Sequence, residues 1–292
     1  MASAVIHSHR QIKAMRPACR LAADTLLMVG EHLRVGMTTE DINTLVHDYT
    51  LAHDAIPAPL NYKGFPKSVC TSVNEVICHG IPGPQVLKDG DIINVDVTSI
   101  FPRKGGYYGD TSATFFIGEP SPMARHVTEV SRVCLELGIA AARPGNRLGD
   151  IGWAIQQYAE SKGCSIVRDY TGHGIGRVFH GPPSVHHYGT PGRGVRLKPG
   201  MTFTIEPMVN LGGAEVDHLD DGWTALTRDR SLTAQFEHTL VITKEGCEVL
   251  TARSGVLASS EDRPWVERLP LSTFVADDAD ARAILDEVGA AL

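Results

Sequence analysis

Four carboxylates stand where β-structure would bury them. Asp96 lies in NVDVT, Asp110 opens DTSATFF, Glu206 ends TFTIE and Glu237 sits in AQFEHTLVIT. Each run alternates with period 2, as strands do, and acids are depleted in such runs because burying an unpaired carboxylate is expensive. One buried acid is ordinarily a structural hydrogen bonder; four in four strand-like runs ask for a shared cation. Asn94, Asp96 and Thr98 fall on one face of their run. If the next run folds back as a hairpin, Asp96 and Asp110 face each other with Cβ atoms ~4.5–5.5 Å apart. Like charges that close either force a proton onto one group or hold a cation.

Three histidines sit beside glycines: His79 in CHGIPG, His173 in TGHGIG and His180 in FHGPP. Any of these alone is weak, since a lone histidine is more often a satisfied core or surface residue. His173, between two glycines, lets backbone and metal approach without a Cβ in the way. One imidazole with four carboxylates is a mostly oxygen set, enough for two divalent ions if some carboxylates bridge. It suits Mn, Fe or Co, with Zn also acceptable. Two ions ~3.5–4 Å apart activate a water and polarise a carbonyl, an arrangement that recurs in aminopeptidases.

The elements that must position these groups come in two copies. VGMTTEDINTLVHDY and PGNRLGDIGWAIQQY repeat Gly, Asp, Ile and Tyr at a shift of 109 residues (Asp41 to Asp150), and LKDGDIINVD and LKPGMTFTIE repeat at 110 (Leu87 to Leu197). The shift also relates Asp96 to Glu206. Two half-domains, roughly 10–118 and 120–246, are expected about an approximate two-fold axis. Helical spacing predicts helices through Ile12–Val29 and Ile42–Tyr49, and again through Val127–Ala142 and Leu148–Tyr158. Strands are predicted at Ile92–Ile100, Tyr107–Ile117, Met201–Glu206, Trp223–Arg228 and Gln235–Thr243. Paired helices followed by antiparallel strands indicate an α+β fold with helices covering one face of a curved sheet.

Composition bounds the function. The net charge of −7 over 292 residues argues against a nucleic-acid binder. No apolar stretch reaches the ~20 residues of a membrane span. Six scattered cysteines without a CxxC pair argue against structural zinc and disulfides, and fit a cytoplasmic enzyme with reduced thiols. Residues 253–292 depart from the duplicated plan, carrying eight acidic and four basic residues. They read as an acidic, partly helical extension to a 1–252 catalytic domain, with Ala281, Ile284, Leu285 and Val288 as one apolar stripe.

SVNEVICHGIP, DGDIINVDVT, GDTS, TGHGIG, MTFTIEPM, DGWT and QFEHT, in this order, resemble the motif set of type I methionine aminopeptidases over residues 10–252. The resemblance implies the pita-bread fold, two pseudo-symmetric halves around a dinuclear centre. It implies hydrolytic removal of the initiator methionine from nascent polypeptides, with a small second residue preferred. Asp96, Asp110, His173, Glu206 and Glu237 would be the metal ligands for two divalent ions, Asp110 and Glu237 bridging. Asp96 would hold one ion; His173 and Glu206 would hold the other, with Glu206 also relaying the proton of the attacking water. His79 and His180 would contact the scissile amide, and Tyr62, Phe65, Cys70, Phe179 and Trp223 would line the methionine pocket. A monomer in transient contact with the ribosome is also implied.

Three features depart from that pattern: the long connection SIFPRKGGYYG between Asp96 and Asp110, Pro59 where many bacterial members carry a pocket cysteine, and the acidic extension. The rival readings are an X-Pro aminopeptidase or prolidase, which usually carries a long extra N-terminal domain, a metal-free creatinase-like enzyme, and a non-catalytic binding paralogue. The complete ligand set weighs against the last two.

Overall fold

The computed structural model describes residues 4–253 and 278–289. The first half runs through helices α1 (His9–His32) and α2 (Thr39–Ala52), then strands β1 (Ile56–Pro57), β2 (Cys70–Val73), β3 (Val76–Cys78), β4 (Ile92–Phe101) and β5 (Tyr107–Phe116). Helices α3 (Pro122–Ala141) and α4 (Leu148–Ser161) open the second half. They are followed by β6 (Ser165–Ile166), β7 (Gly172–Gly174), β8 (Gly181–Val185), β9 (Thr202–Ile205) and β10 (Met208–Asn210). Strands β11 (Val216–His218), β12 (Ala225–Thr227), β13 (Thr233–Gln235), β14 (Glu237–Ile242) and β15 (Cys247–Val249) complete it, and helix α5 (Ala279–Glu287) follows.

The duplication reappears atom by atom. Helices α2 and α4 are each 14 residues long. The recurring aspartate is the N3 acid of both: Asp41 Oδ2 accepts from Thr38 N at 2.7 Å, and Asp150 Oδ2 from Arg147 N at 2.6 Å. This satisfies an otherwise orphaned helix-terminal donor. The recurring glycines Gly36 and Gly145 have φ of 88° and 98°, which a side chain would oppose, and each donates to the leucine of the LKxG segment, Leu87 or Leu197.

Nine strands form one antiparallel sheet in the order β1-β4-β5-β14-β9-β7-β8, with β2 paired to β4 and β15 to β14. Val95 and Val97 belong to the main apolar core with Ala22 and Leu26 of α1. At Gly109 the sheet meets that helix backbone to backbone, since a Cβ there would lie 2.3 Å from Cys19 N. Asp110, next along, points to the opposite face.

Two strand expectations are corrected. The run Gln235–Thr243 is broken at Phe236: β13 belongs to a three-stranded sheet β13-β10-β6, while β14 belongs to the large one. Trp223–Arg228 contributes only the three residues of β12, in a separate sheet β11-β12-β3. The long connection after Asp96 is spent on ladder, because β4 and β5 stay paired out to Phe101 and Tyr107, leaving 102–106 as the turn. Its tip is tied to the helix layer by Arg103 and Asp54 at 2.9 Å.

Helix α5 carries the expected stripe. Ala281, Ile284, Leu285 and Val288 are buried in the main core, and Lys162 reaches Asp280 at 2.8 Å. The remainder of the predicted extension, 254–277 and 290–292, lies outside the described residues. All six cysteines are free thiols, and among the described residues no helix is long and apolar enough to cross a membrane.

Candidate active site

The sheet register brings the acids together, though not as the hairpin argument expected. Asp96 does not face Asp110: it pairs with Ser112, while Asp110 pairs with Thr98. The five-residue turn sets that register, which leaves the two acids on a diagonal. Their carboxyl groups still meet, and proximity to Asp110 adds to the burial that raises Asp96 well above the usual carboxylate range.

The direct cross-strand pair is Glu206 with Glu237. Strands β9 and β14 pair Ile205 with His238, and β10 and β13 resume in the same register with Met208 opposite Gln235. That register sets Glu206 opposite Glu237 at the point where the chain leaves the large sheet. Pro207 has no N–H to continue the ladder there. Ser112 is opposite both Asp96 and Glu237, so Asp96, Ser112, Glu237 and Glu206 form one row across four strands. Asp110 stands on the same face of β5, two residues from Ser112, and lines the cavity with the three acids of that row.

His173 enters from β7. Its flanking glycines admit the neighbouring strands: a Cβ at Gly172 would lie 2.4 Å from Thr204 O, and one at Gly174 2.0 Å from Pro182 O. The close approach they permit is therefore between backbones. His173 Nδ1 bonds Gly174 O at 3.3 Å, leaving Nε2 3.4 Å from Asp110 Oδ2 and 3.7 Å from Glu206 Oε1. Burial opposes the imidazolium, but Asp110 and Glu206 outweigh it and raise the pKa.

The residues present fit divalent cations. Ligand atoms of Asp110, His173 and Glu237 all lie within 4.8 Å of one another. Asp96 Oδ1 is buried with no hydrogen-bond partner, an orphan that a cation would satisfy. Burial, with neighbouring acids adding to it, drives Glu237 far above its ordinary pKa; burial also lifts Glu206 to about 7. Such a cluster binds either protons or metal.

The other predicted residues converge on the same cavity of about 300 Å³, which Tyr62, Phe65, Cys70, Phe179 and Trp223 line beside all five acidic and imidazole groups. Phe65 and Trp223 meet edge to face at 5.2 Å, and Tyr62 and Phe179 pack with tilted rings at 4.8 Å. His79 adopts a left-handed φ of 58°, a strained conformation for a non-glycine residue that aims its ring at Trp223 and Tyr170. His180 Nδ1 bonds Tyr62 OH at 2.9 Å. Burial lowers both His79 and His180 to about 4, so both are neutral at pH 7. Pro59 lines the rim of the cavity.

Several supporting groups are given no role by the sequence, although Thr98 is expected on the face of Asp96 and Gln235 on that of Glu237. Thr98 Oγ1 donates to Asp110 Oδ1 and Thr204 Oγ1 to Glu206 Oε1, both at 2.7 Å. Each threonine is two residues from an acid on the same strand face, so strand parity could have found them. Gln235 Nε2 reaches Glu206 Oε2 at 3.3 Å. His187, fully buried, accepts the backbone N–H of Glu206 at 3.1 Å. No pattern marks it, because it acts on a main-chain group. Lys63 also lines the cavity.

A paired-helix α+β frame around such a row of acids defines a metallopeptidase. The profile of metallopeptidase family M24 matches residues 13–244, and the chain belongs to that family. Over 245 residues it is 55% identical to methionine aminopeptidase A of Synechocystis sp., covering 84% of this chain and 96% of that protein. The crystal structure of methionine aminopeptidase from Rickettsia prowazekii superposes with a TM-score of 0.83 at 50% identity, covering 86% of this chain and all of that one. A prolidase from Pyrococcus horikoshii OT3 shares the fold alone, with a TM-score of 0.67 at 20% identity over 87% of this chain and 65% of its own.

Proposed function

We propose that the protein is a metal-dependent aminopeptidase that hydrolyses the bond after an N-terminal methionine, preferring a small second residue. One observation carries this reading: an aromatic slot with a cysteine at its wall opens into the same cavity as the row of acids. An unbranched thioether gains there from apolar burial and sulfur–aromatic contact. Relatives that carry the name methionine aminopeptidase over most of the chain point the same way.

Asp96, Asp110, His173, Glu206 and Glu237 would hold two divalent ions, with Asp110, His173 and Glu237 already offering ligand atoms within 4.8 Å of one another. Such ions lower the pKa of water toward neutrality and polarise a carbonyl. Glu206 takes the proton of the attacking water at Oε2, where the bond from Gln235 is the longer of its two. As the new C–O bond forms and the C–N bond breaks, Glu206 passes the proton to the leaving nitrogen. His180 Nδ1 is engaged by the Tyr62 hydroxyl, which leaves Nε2 as the ring nitrogen free for substrate. His79 and His180 stabilise the tetrahedral oxygen and the scissile amide. A metal centre beside the scissile bond would leave little room for the second residue, so a bulky one is expected to be rejected. The substrates are nascent polypeptides and peptides with N-terminal methionine, met by a cytoplasmic monomer in transient contact with the ribosome.

Turnover of Met-Ala-Ser, Met-Phe-Ser and Pro-Ala-Ser under identical metal loading tests the reading. Met-Ala-Ser is expected to be fastest; faster cleavage of Pro-Ala-Ser would favour a proline peptidase.

A further inference from the structure

A second, larger cavity of about 940 Å³ adjoins the catalytic one, and the two share His173 and His180 as a common wall. From that wall it runs past Ser184 of β8 to His186, Tyr188 and Arg193, with the start of α4 on the far side. Strand β8 ends the nine-stranded order, so its outer edge has no partner strand among the described residues. Neither Pro182 nor Pro183 of β8 has an N–H to donate, which disfavours docking by a main-chain ladder and leaves recognition to side chains.

The groove lining carries a positive charge and no carboxylate, although the chain as a whole carries −7. No Asp or Glu lines it, and Arg193 is exposed within its lining. Arg168 lies 5.0 Å over the Tyr188 ring, and Arg147 Nη1 bonds Gly194 O at 2.7 Å, so both guanidinium groups stand near the rim. Asp150, on α4 beside the groove, is turned inward and occupied by the N–H groups of Arg147 and Gly192 at 2.6 and 2.5 Å.

An exopeptidase that works from the amino end must let the rest of its substrate pass the scissile bond. With the methionine side chain in the aromatic slot and the carbonyl beside His180, the chain can cross the shared histidine wall into this groove. We propose that the groove holds the substrate polypeptide from its third residue onward and favours acidic side chains there through Arg193. This inference rests on the aminopeptidase reading above.

The test compares Met-Ala-Ser-Asp-Asp-Gly with Met-Ala-Ser-Lys-Lys-Gly at low ionic strength, each rate divided by that of Met-Ala-Ser on the same protein. The acidic peptide is expected to show kcat/KM roughly three- to tenfold above the basic one, a gap that closes as salt screens the charges. Arg193→Glu should invert the order. Equal values for the two hexapeptides in the parent, with Met-Ala-Ser still cleaved, would overturn the groove and leave the aminopeptidase reading standing. An acidic preference that survives in Arg193→Glu would overturn the role of Arg193. Failure to cleave Met-Ala-Ser at all would overturn the aminopeptidase reading, and the groove with it.

Discussion

The two halves of the molecule share a frame and differ where the chemistry is. Asp96 on β4 and Glu206 at the end of β9 occupy corresponding positions, and the motif His-Gly-x-Pro occurs at 79–82 and again at 180–183. Both histidines of that motif border the cavity. Counting back from them by seven residues gives Ser72 in the first half and His173 in the second. Ser72 Oγ accepts the Gly80 N–H at 3.3 Å, a structural bond, whereas His173 Nε2 faces the acids. Duplication thus explains a matched pair of acids and a matched pair of cavity histidines. One departure from symmetry, serine against histidine, places an imidazole against the acids. The remaining acids, Asp110 and Glu237, stand on the adjacent strands β5 and β14 at the seam between the halves.

Making the halves alike at this point should have the largest effect. His173→Ser copies the first-half residue into the second and removes a ligand. Activity is expected to fall beyond the ~10²–10⁴-fold worth of a positioned acid or donor, with one ion lost by mass spectrometry. Normal metal content and turnover would mean that His173 is not a ligand. The matched histidines sharpen the comparison from the other side. His79→Ala and His180→Ala should each lower kcat by ~10²–10⁴-fold with metal content unchanged. Loss of metal in either variant would move that residue into the ligand set.

The crowding of acids at the seam has a signature in the chelated protein. Burial and mutual repulsion raise the pKa of Asp96, Glu206 and Glu237 above their unfolded values, Glu206 to about 7, and His173 is raised by its acidic neighbours. The folded state therefore binds protons more tightly than the unfolded chain. The stability this confers is fully present below the ordinary carboxylate range and is lost as pH rises through about 7. The Tm of the metal-free protein should be lower at pH 8 than at pH 5.5, and saturating Mn²⁺ should reverse the order because metal and protons compete for the same oxygens. A chelated protein more stable at pH 8 would show that the acids contribute less than the buried neutral histidines His79, His180 and His187, whose lowered pKa values act in the opposite sense.

The smallest effect is expected at the extension, which has no counterpart in the duplication. Thr251 Oγ1 meets His238 Nδ1 at 2.9 Å and accepts the Thr239 N–H at 3.0 Å, while Arg253 Nη2 donates to Thr111 Oγ1 and Ser112 O, both at 3.0 Å. These contacts tie the chain up to Arg253 to the seam strands, so a truncation belongs after residue 253. A protein ending there loses the apolar stripe of α5. Its Tm should drop by roughly 5–10 °C, with kcat/KM on Met-Ala-Ser almost unchanged. A folded, metal-loaded truncation that cannot cleave the tripeptide would place the extension at the active site.

Much of this organisation is legible in the sequence because it is local or repeated. The helix pairs follow from apolar spacing and the N3 aspartates, and the acids stand out against strand parity. What could not be read is register across distant segments. The opposition of Glu206 and Glu237 depends on a ladder that changes sheets at Pro207 and Phe236, and the Asp96–Asp110 diagonal depends on where a glycine-rich turn closes. The pocket draws Tyr62, Cys70, Phe179 and Trp223 from four separate segments, which only the family resemblance gathered. His187 left no trace, since its role is to hold a backbone N–H.

Metal stoichiometry at the seam tests the central claim most directly. Ions per chain should be counted by mass spectrometry during Mn²⁺ titration of the parent and of Glu237→Ala, with Met-Ala-Ser turnover followed in the same samples. The account predicts two ions in the parent, activity that rises with their binding, and loss of both metal and activity in Glu237→Ala. Two ions and undiminished turnover in Glu237→Ala, or full activity in a thoroughly chelated parent, would contradict it.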